Sequence, residues 1–171
     1  MSDLHCPARV FLARHGEADY ESMLVTDDGG SLSRAGRAQA RALGESLRAE
    51  RIARVWCSPL SRAVQTAEIA AVLGVDDVVV REGLREYAVG SPAGTDADEQ
   101  AVLGAVFEAW LAGDDEAALV VGHGGAVMVT VPGLVGLPRS AALDLVLPGG
   151  GHLSLERDAD GCWLSPTGQP R

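Results

Sequence analysis

Disulfide chemistry has almost nothing to work with in this chain. It holds three cysteines, Cys6, Cys57 and Cys162, an odd number with no Cys-x-x-Cys spacing. That excludes a disulfide framework and a thiolate zinc site, and it favours a reducing cytoplasm. Long apolar runs are also missing: no stretch reaches the ~18 consecutive apolar residues of a membrane span. Met1 to His5 carries neither a basic segment nor an apolar one, so no signal peptide is expected. No His, Asp and Glu fall at metal-ligand spacing, so neither a metal nor another cofactor is expected. The glycine run Gly149-Gly150-Gly151 follows Pro148 and lacks a P-loop lysine; it reads as a turn. Basic charge is scarce, with 14 Lys and Arg against 24 Asp and Glu and a formal net charge of −10. Nucleic acids and anionic membranes favour the opposite sign, so neither is expected as a partner.

What remains is a globular composition. Residues 1–171 suit one domain, and 47% of them are hydrophobic, enough for a real core. The chain reads as strands alternating with helices. Strands are expected at Arg9–Ala13, Ala53–Cys57, Asp77–Arg81 and Ala117–Val121. Late strands are expected at Leu143–Leu147 and His152–Arg157, the latter turning at Asp160-Gly161. A helix opens at Ser33, a plausible N-cap, and runs to about Glu50 with Leu43 and Leu47 on its buried face. Others are expected at Leu60–Leu73, closed by Gly74, at Asp96–Leu111, ending at Gly113, and at Ala126–Val135, where Pro132 and Gly133 should shorten or kink it. The polar segments Ser22–Leu32 and Gly83–Thr95 should rim a pocket. This alternation gives an α/β fold: a three-layer sandwich with a mostly parallel central sheet flanked by helices.

Two short stretches carry the chemistry. Leu12-Ala13-Arg14-His15-Gly16-Glu17 and Val121-Gly122-His123-Gly124-Gly125 each follow an apolar, β-branched run and set a histidine where that strand ends. Sites in open α/β sheets form just beyond the carboxyl ends of strands. Between them Ser58-Pro59-Leu60-Ser61-Arg62-Ala63-Val64-Gln65-Thr66-Ala67 also follows a strand-like run. Arginines and histidines would therefore converge from three strand ends, which suits an anionic phosphoryl group.

These three ordered motifs resemble those of the histidine phosphatase (phosphoglycerate mutase-like) superfamily, over Val10 to about Leu155. The resemblance implies the phosphoglycerate mutase-like fold and a phosphoric monoester hydrolase with a phosphohistidine intermediate. His15 would be the nucleophile, its second ring nitrogen donating to an acceptor, expected to be a backbone carbonyl, that fixes the tautomer. Arg14 and Arg62 would clamp the phosphate, because a guanidinium pairs two of its oxygens at once. His123 would donate to a non-bridging oxygen in its charged form, with Gly124 letting the backbone come close. Glu86, in Gly83-Leu84-Arg85-Glu86-Tyr87, matches the family's acid, and Glu82 is its rival. A carboxyl group beside a bound anion favours its protonated form.

The chain also departs from the family pattern. Glu21 stands where many members have asparagine, and Ser91-Pro92-Ala93-Gly94 replaces the usual Trp-Glu-Gly. The connection before the fourth strand is short, which should leave an open pocket. A small phosphorylated metabolite or a phosphohistidine protein would fit as substrate; a mutase, which needs an enclosing lid, fits worst. The reading from another class is a catalytically weak module that binds a phospho-ligand.

Overall fold

The β-branched runs become a six-stranded sheet. The computed structural model describes residues 9–20, 30–72, 74–75, 78–86, 117–136, 146–158 and 161–165, without the side chains of 128–130, 133–134, 157–158 and 161–165. The strands are β1 (Arg9–Arg14), β2 (Ile52–Cys57), β3 (Val78–Val80), β4 (Ala117–Gly122), β5 (His152–Asp158) and β6 (Gly161–Ser165). Their spatial order is β3-β2-β4-β1-β5-β6. The first four run parallel, and β5 and β6 are antiparallel additions beside β1.

Helices α1 (Arg34–Leu47), α2 (Ser61–Ala71) and α3 (Gly124–Val135) cover the sheet from two sides. Side chains alternate along each strand and so feed two cores. Phe11, Ala13, Val55, Leu119 and Val121 pack with Leu43 and Leu47 of α1 and the alanines of α2. Val10, Leu12, Trp56, Val120 and Leu155 pack with Ala126, Val127 and Val131 of α3. This two-sided burial is why the central strands are nearly continuous apolar runs. Leu43 is 2% exposed, and truncating such a residue to alanine costs about 2–5 kcal/mol.

Most boundaries move by a residue or two. Ser33 caps α1 as expected, its hydroxyl accepting from the Gly36 N–H at 3.0 Å, and the helix tightens into a 3₁₀ turn over Arg48–Glu50. Helix α2 ends at Ala71, two residues earlier than expected. Gly74 lies beyond it at φ +131°, and its N–H and that of Val75 both donate to the Ala71 carbonyl.

Two expectations are corrected. Val146 and Leu147 are not in a strand: the Leu147 carbonyl accepts from an arginine side chain rather than from a β partner. Pro132 does not shorten α3, which starts earlier, at Gly124, and runs through to Val135; there Gly136, in the left-handed region at φ +69°, donates back to the Pro132 carbonyl. The sequence reading also turned the chain at Asp160-Gly161 without seeing that β6 follows. The expected helix Asp96–Leu111, residues 143–145 of the late strand, Glu21 and most of the two rim segments lie outside the described residues.

Candidate active site

The site sits where the chain changes faces. β4 lies between β1 and β2, and all three are parallel, so their carboxyl ends form one edge. After β1 the chain passes to the α1–α2 face, and after β4 to the opposite, α3 face. Adjacent strands whose connections part in this way open a crevice between them. Register does the rest. Arg14 pairs with Gly122 and the His15 N–H donates to the Gly122 carbonyl at 3.0 Å, so His15 and His123 come out side by side. Their ring centroids are 5.1 Å apart, at 63°. Cys57 pairs with Val121, which brings Ser58 and the start of α2 to the same edge.

The His15 ring is held in one tautomer. Its Nδ1 lies 2.6 Å from the Gly16 carbonyl oxygen, so that nitrogen carries the hydrogen and donates. Nε2 keeps its lone pair and accepts from Arg62 Nε at 3.1 Å. Burial, with Arg62 and Arg14 adding to it, lowers His15 to about 4, although the bond to Gly16 pulls the other way. The ring is neutral near pH 7, as a nitrogen nucleophile must be.

The turn that carries His15 is built on close backbone contact. A Cβ on Gly16 would stand 2.5 Å from the Gly36 carbonyl oxygen, and one on Gly36 would stand 2.0 Å from that of Glu17. The first turn of α1 can lie against this loop only because both positions lack a side chain. Thr66 ties it to α2: its hydroxyl accepts from the Gly16 N–H at 3.0 Å and donates to the Arg62 carbonyl at 2.7 Å. Gln39 accepts from the Glu17 N–H at 2.7 Å, and the Gly150 N–H reaches the Arg14 and His15 carbonyls. The glycine run is a turn, as expected, and it buttresses the site.

Arg62 is the hub. Its guanidinium touches His15, contacts the Glu86 carboxylate through Nη2, and lies 3.5 Å from His123 Nδ1. Arg14 donates through Nη1 to the Leu147 carbonyl at 2.8 Å, while its buried Nε has no hydrogen-bond partner among the described residues. A buried unpaired donor is costly, and an anionic oxygen would satisfy it. A Cβ on Gly124 would stand 3.5 Å from the Arg14 guanidinium, an ordinary contact, so Arg14 lies directly over the start of α3. The first N–H groups of α3, which begins at Gly124, have no intrahelical partner and present the positive end of the helix dipole.

His123 is the more deeply buried of the two rings. Burial, helped by the positive field of His15, Arg62, Arg14 and Arg85, lowers it to about 2, so it is neutral. Its Nε2 shares a hydrogen bond of 2.8 Å with the Ser58 hydroxyl. Its Nδ1 stands 3.5 Å from both the Arg62 guanidinium and Glu86 Oε2. That nitrogen can accept from the arginine or, once protonated, face the carboxylate. A dianion among these groups would reverse the local field and draw a proton onto Nδ1.

The two candidate acids are separated in space. Glu86 reaches into the site, with its side chain 32% exposed, whereas Glu82 is 76% exposed and pairs with Arg85 at 3.3 Å. Tyr20 lies over Arg62, 5.9 Å from its guanidinium carbon, at the mouth. Sequence reasoning missed the supporting parts. Ser58 and Thr66 stand inside the second motif but had no role, and Gln39 and the Leu147 carbonyl gave no signal at all. Cys57 is buried at the end of β2, its thiol raised to about 11, first by burial and then by Glu68. Among the described residues no group of three or more His, Cys, Asp or Glu could hold a metal ion. No described helix is long and apolar enough to cross a membrane.

Residues 10–118 match the family model of the histidine phosphatase superfamily, branch 1. The chain belongs to that superfamily. Comparison with curated proteins finds no match. Solved structures share its fold. The phosphoserine phosphatase of Entamoeba histolytica, in complex with 3-phosphoglyceric acid, superposes with a TM-score of 0.79 at 17% identity, over 96% of this chain and 98% of that one. YhfR of Bacillus stearothermophilus gives 0.79 at 22% identity, over 96% and 98%. A mycobacterial glucosyl-3-phosphoglycerate phosphatase in complex with VO3 gives 0.74 at 22% identity, over 92% and 97%. The chain has the mostly parallel sheet of these proteins.

Proposed function

We propose that this histidine phosphatase superfamily member hydrolyses a small phosphomonoester through a phosphohistidine on His15, without a metal ion. The observation that carries the reading is the state of His15. Nδ1 is committed to the Gly16 carbonyl, so the unprotonated nitrogen is Nε2, which accepts from the Arg62 guanidinium. A phosphoryl group held by Arg62, Arg14 and the start of α3 would present its phosphorus to that nitrogen.

Nε2 attacks phosphorus, the bond to the leaving oxygen breaks, and Glu86 in its acid form protonates that oxygen. Glu86 then takes a proton from water as the water displaces His15 and releases phosphate. Arg14, Arg62 and a protonated His123 hold the charge that spreads over the equatorial oxygens. Arginines stay charged at any working pH, so the clamp is complete without an ion. Two of these relatives are named as phosphatases of phosphoserine and of glucosyl-3-phosphoglycerate, which supports a small metabolite over a protein substrate. The buried free thiol of Cys57 suits the reducing cytoplasm in which we place the protein.

Turnover of p-nitrophenyl phosphate tests the reading. Wild type should turn over and His15→Ala should not, with its fold intact by circular dichroism. Near-normal turnover by His15→Ala would refute it.

A further inference from the structure

A second cavity lies at the other edge of the sheet. It opens between the ends of α1 and α2 and the start of β2, and its volume is about 410 Å³. That is within the usual size of small-ligand sites. Leu47, Val55, Ala70 and Leu119 line it, all of them buried, and Arg48 and Arg51 stand at its rim, both exposed. The cavity is no extension of the histidine site. Arg62 is in the first turn of α2 and Ala70 is near its end, eight residues on, about 12 Å along the axis.

Arg51 is the informative residue. It sits at φ 49°, ψ 53°, the one described residue other than glycine with positive φ. An L side chain is disfavoured there and glycine is not. The guanidinium placed at that cost makes no hydrogen bond or ion pair among the described residues. Arg51 is the C-cap of the 3₁₀ turn over Arg48–Glu50, a left-handed position where glycine is the usual choice. Arg48 is held on the outer side by Glu45, at 2.9 Å. Near the rim, residues 45–54 hold three arginines and two glutamates; Glu45 pairs with Arg48 and Glu50 with Arg9, which leaves Arg51 and Arg54 without an acidic partner among the described residues. An arginine fork pairs well with a carboxylate, and the buried side chains below it offer an apolar wall.

We propose that this cavity binds an amphipathic monocarboxylate, its acid group on Arg51 beside Arg48 and its apolar body against Leu47, Val55, Ala70 and Leu119. The site is independent of the hydrolytic reading.

Octanoate and its neutral analogue 1-octanol are the probes, titrated into the full chain in excess inorganic phosphate and followed by amide NMR. Octanoate should shift the resonances of residues 47–55 and Ala70, and bind at least about tenfold more tightly than octanol, the difference expected of one charge-assisted contact. Arg51→Gly removes the charge while suiting the left-handed backbone, so the variant keeps its fold; it should erase that preference and leave p-nitrophenyl phosphate turnover unchanged. Ala70→Leu, which fills the floor, should abolish octanoate binding. Absence of octanoate shifts in wild type, equal binding of octanoate and octanol, undiminished octanoate binding in Arg51→Gly or Ala70→Leu, or shifts confined to the histidine edge would each overturn the proposal.

Discussion

Mild acid should destabilise this protein through its two buried histidines. In the folded chain His15 titrates at about 4 and His123 at about 2, each lowered from 6.5 chiefly by burial. Once unfolded, both return to about 6.5. Below that value the unfolded chain binds protons that the native state refuses, so stability present near neutrality is lost as the pH falls from 6.5 towards 4. For His123 the loss continues towards 2. While the unfolded form is charged and the native form is not, each histidine contributes about 1.4 kcal/mol per pH unit. Between about pH 7 and pH 5 the pair together removes roughly 3–4 kcal/mol, a large part of the 5–15 kcal/mol typical of a domain. His152, also lowered by burial, adds in the same direction. Carboxylates titrate mostly below this window, so the histidines dominate it. Urea denaturation at several pH values measures the effect directly. His123→Gln should flatten the dependence by about half. A wild-type midpoint constant from pH 7 to 5 would refute the burial argument for both rings. Phosphate should restore part of the lost stability, because a bound anion favours the protonated His123.

Three further outcomes follow from the geometry. Glu86→Gln should slow alkyl phosphates by roughly 100- to 10,000-fold while p-nitrophenyl phosphate, whose leaving group hardly needs a proton, loses far less. Equal losses on both, measured as kcat, would instead mark Glu86 as a binding group through its contact with Arg62. Gly36→Ala places a Cβ 2.0 Å from the Glu17 carbonyl oxygen, so the turn carrying His15 must move. A loss of about 1–3 kcal/mol is expected, together with reduced turnover, despite alanine's better helix propensity; an unchanged melting temperature and kcat would show that the contact is slack. Turnover should survive exhaustive EDTA treatment, since Arg14, Arg62 and His123 supply the cationic work; loss restored by magnesium, manganese or zinc would contradict that assignment.

Local chemistry explains which parts of the fold were legible in the sequence. β1, β2 and β4 announce themselves because burial on both faces makes them apolar and β-branched. Ser33 is readable as a cap because the hydroxyl and the N–H it satisfies are three residues apart. β6 was missed because Gly161-Cys162-Trp163-Leu164-Ser165 is short and opens on glycine, and its pairing with β5 is a property of the sheet. Pro132 was expected to shorten or kink its helix, yet α3 continues through it to Val135, packed by Val127 and Val131 into the core. In the site, the motif residues His15, Arg62 and His123 could be placed at strand ends and a helix start. Their supports could not. Gln39, Thr66 and the Leu147 carbonyl act through contacts 22, 50 and 133 residues apart in the chain, and no local pattern records those. The neutral state of His123 was equally invisible, because it arises from burial and from arginines brought in by other elements.

The most direct test of the account is chemical trapping at His15. The chain would be mixed rapidly with a phosphorus-labelled substrate, quenched in denaturant, and digested to locate the label. Attack by Nε2 predicts a burst of label on the peptide that contains His15. That label should be stable in base and lost in acid, as a nitrogen–phosphorus bond is, and it should be absent in His15→Ala. Label on another residue, label stable to acid, or steady turnover with no label above background would contradict the central claim.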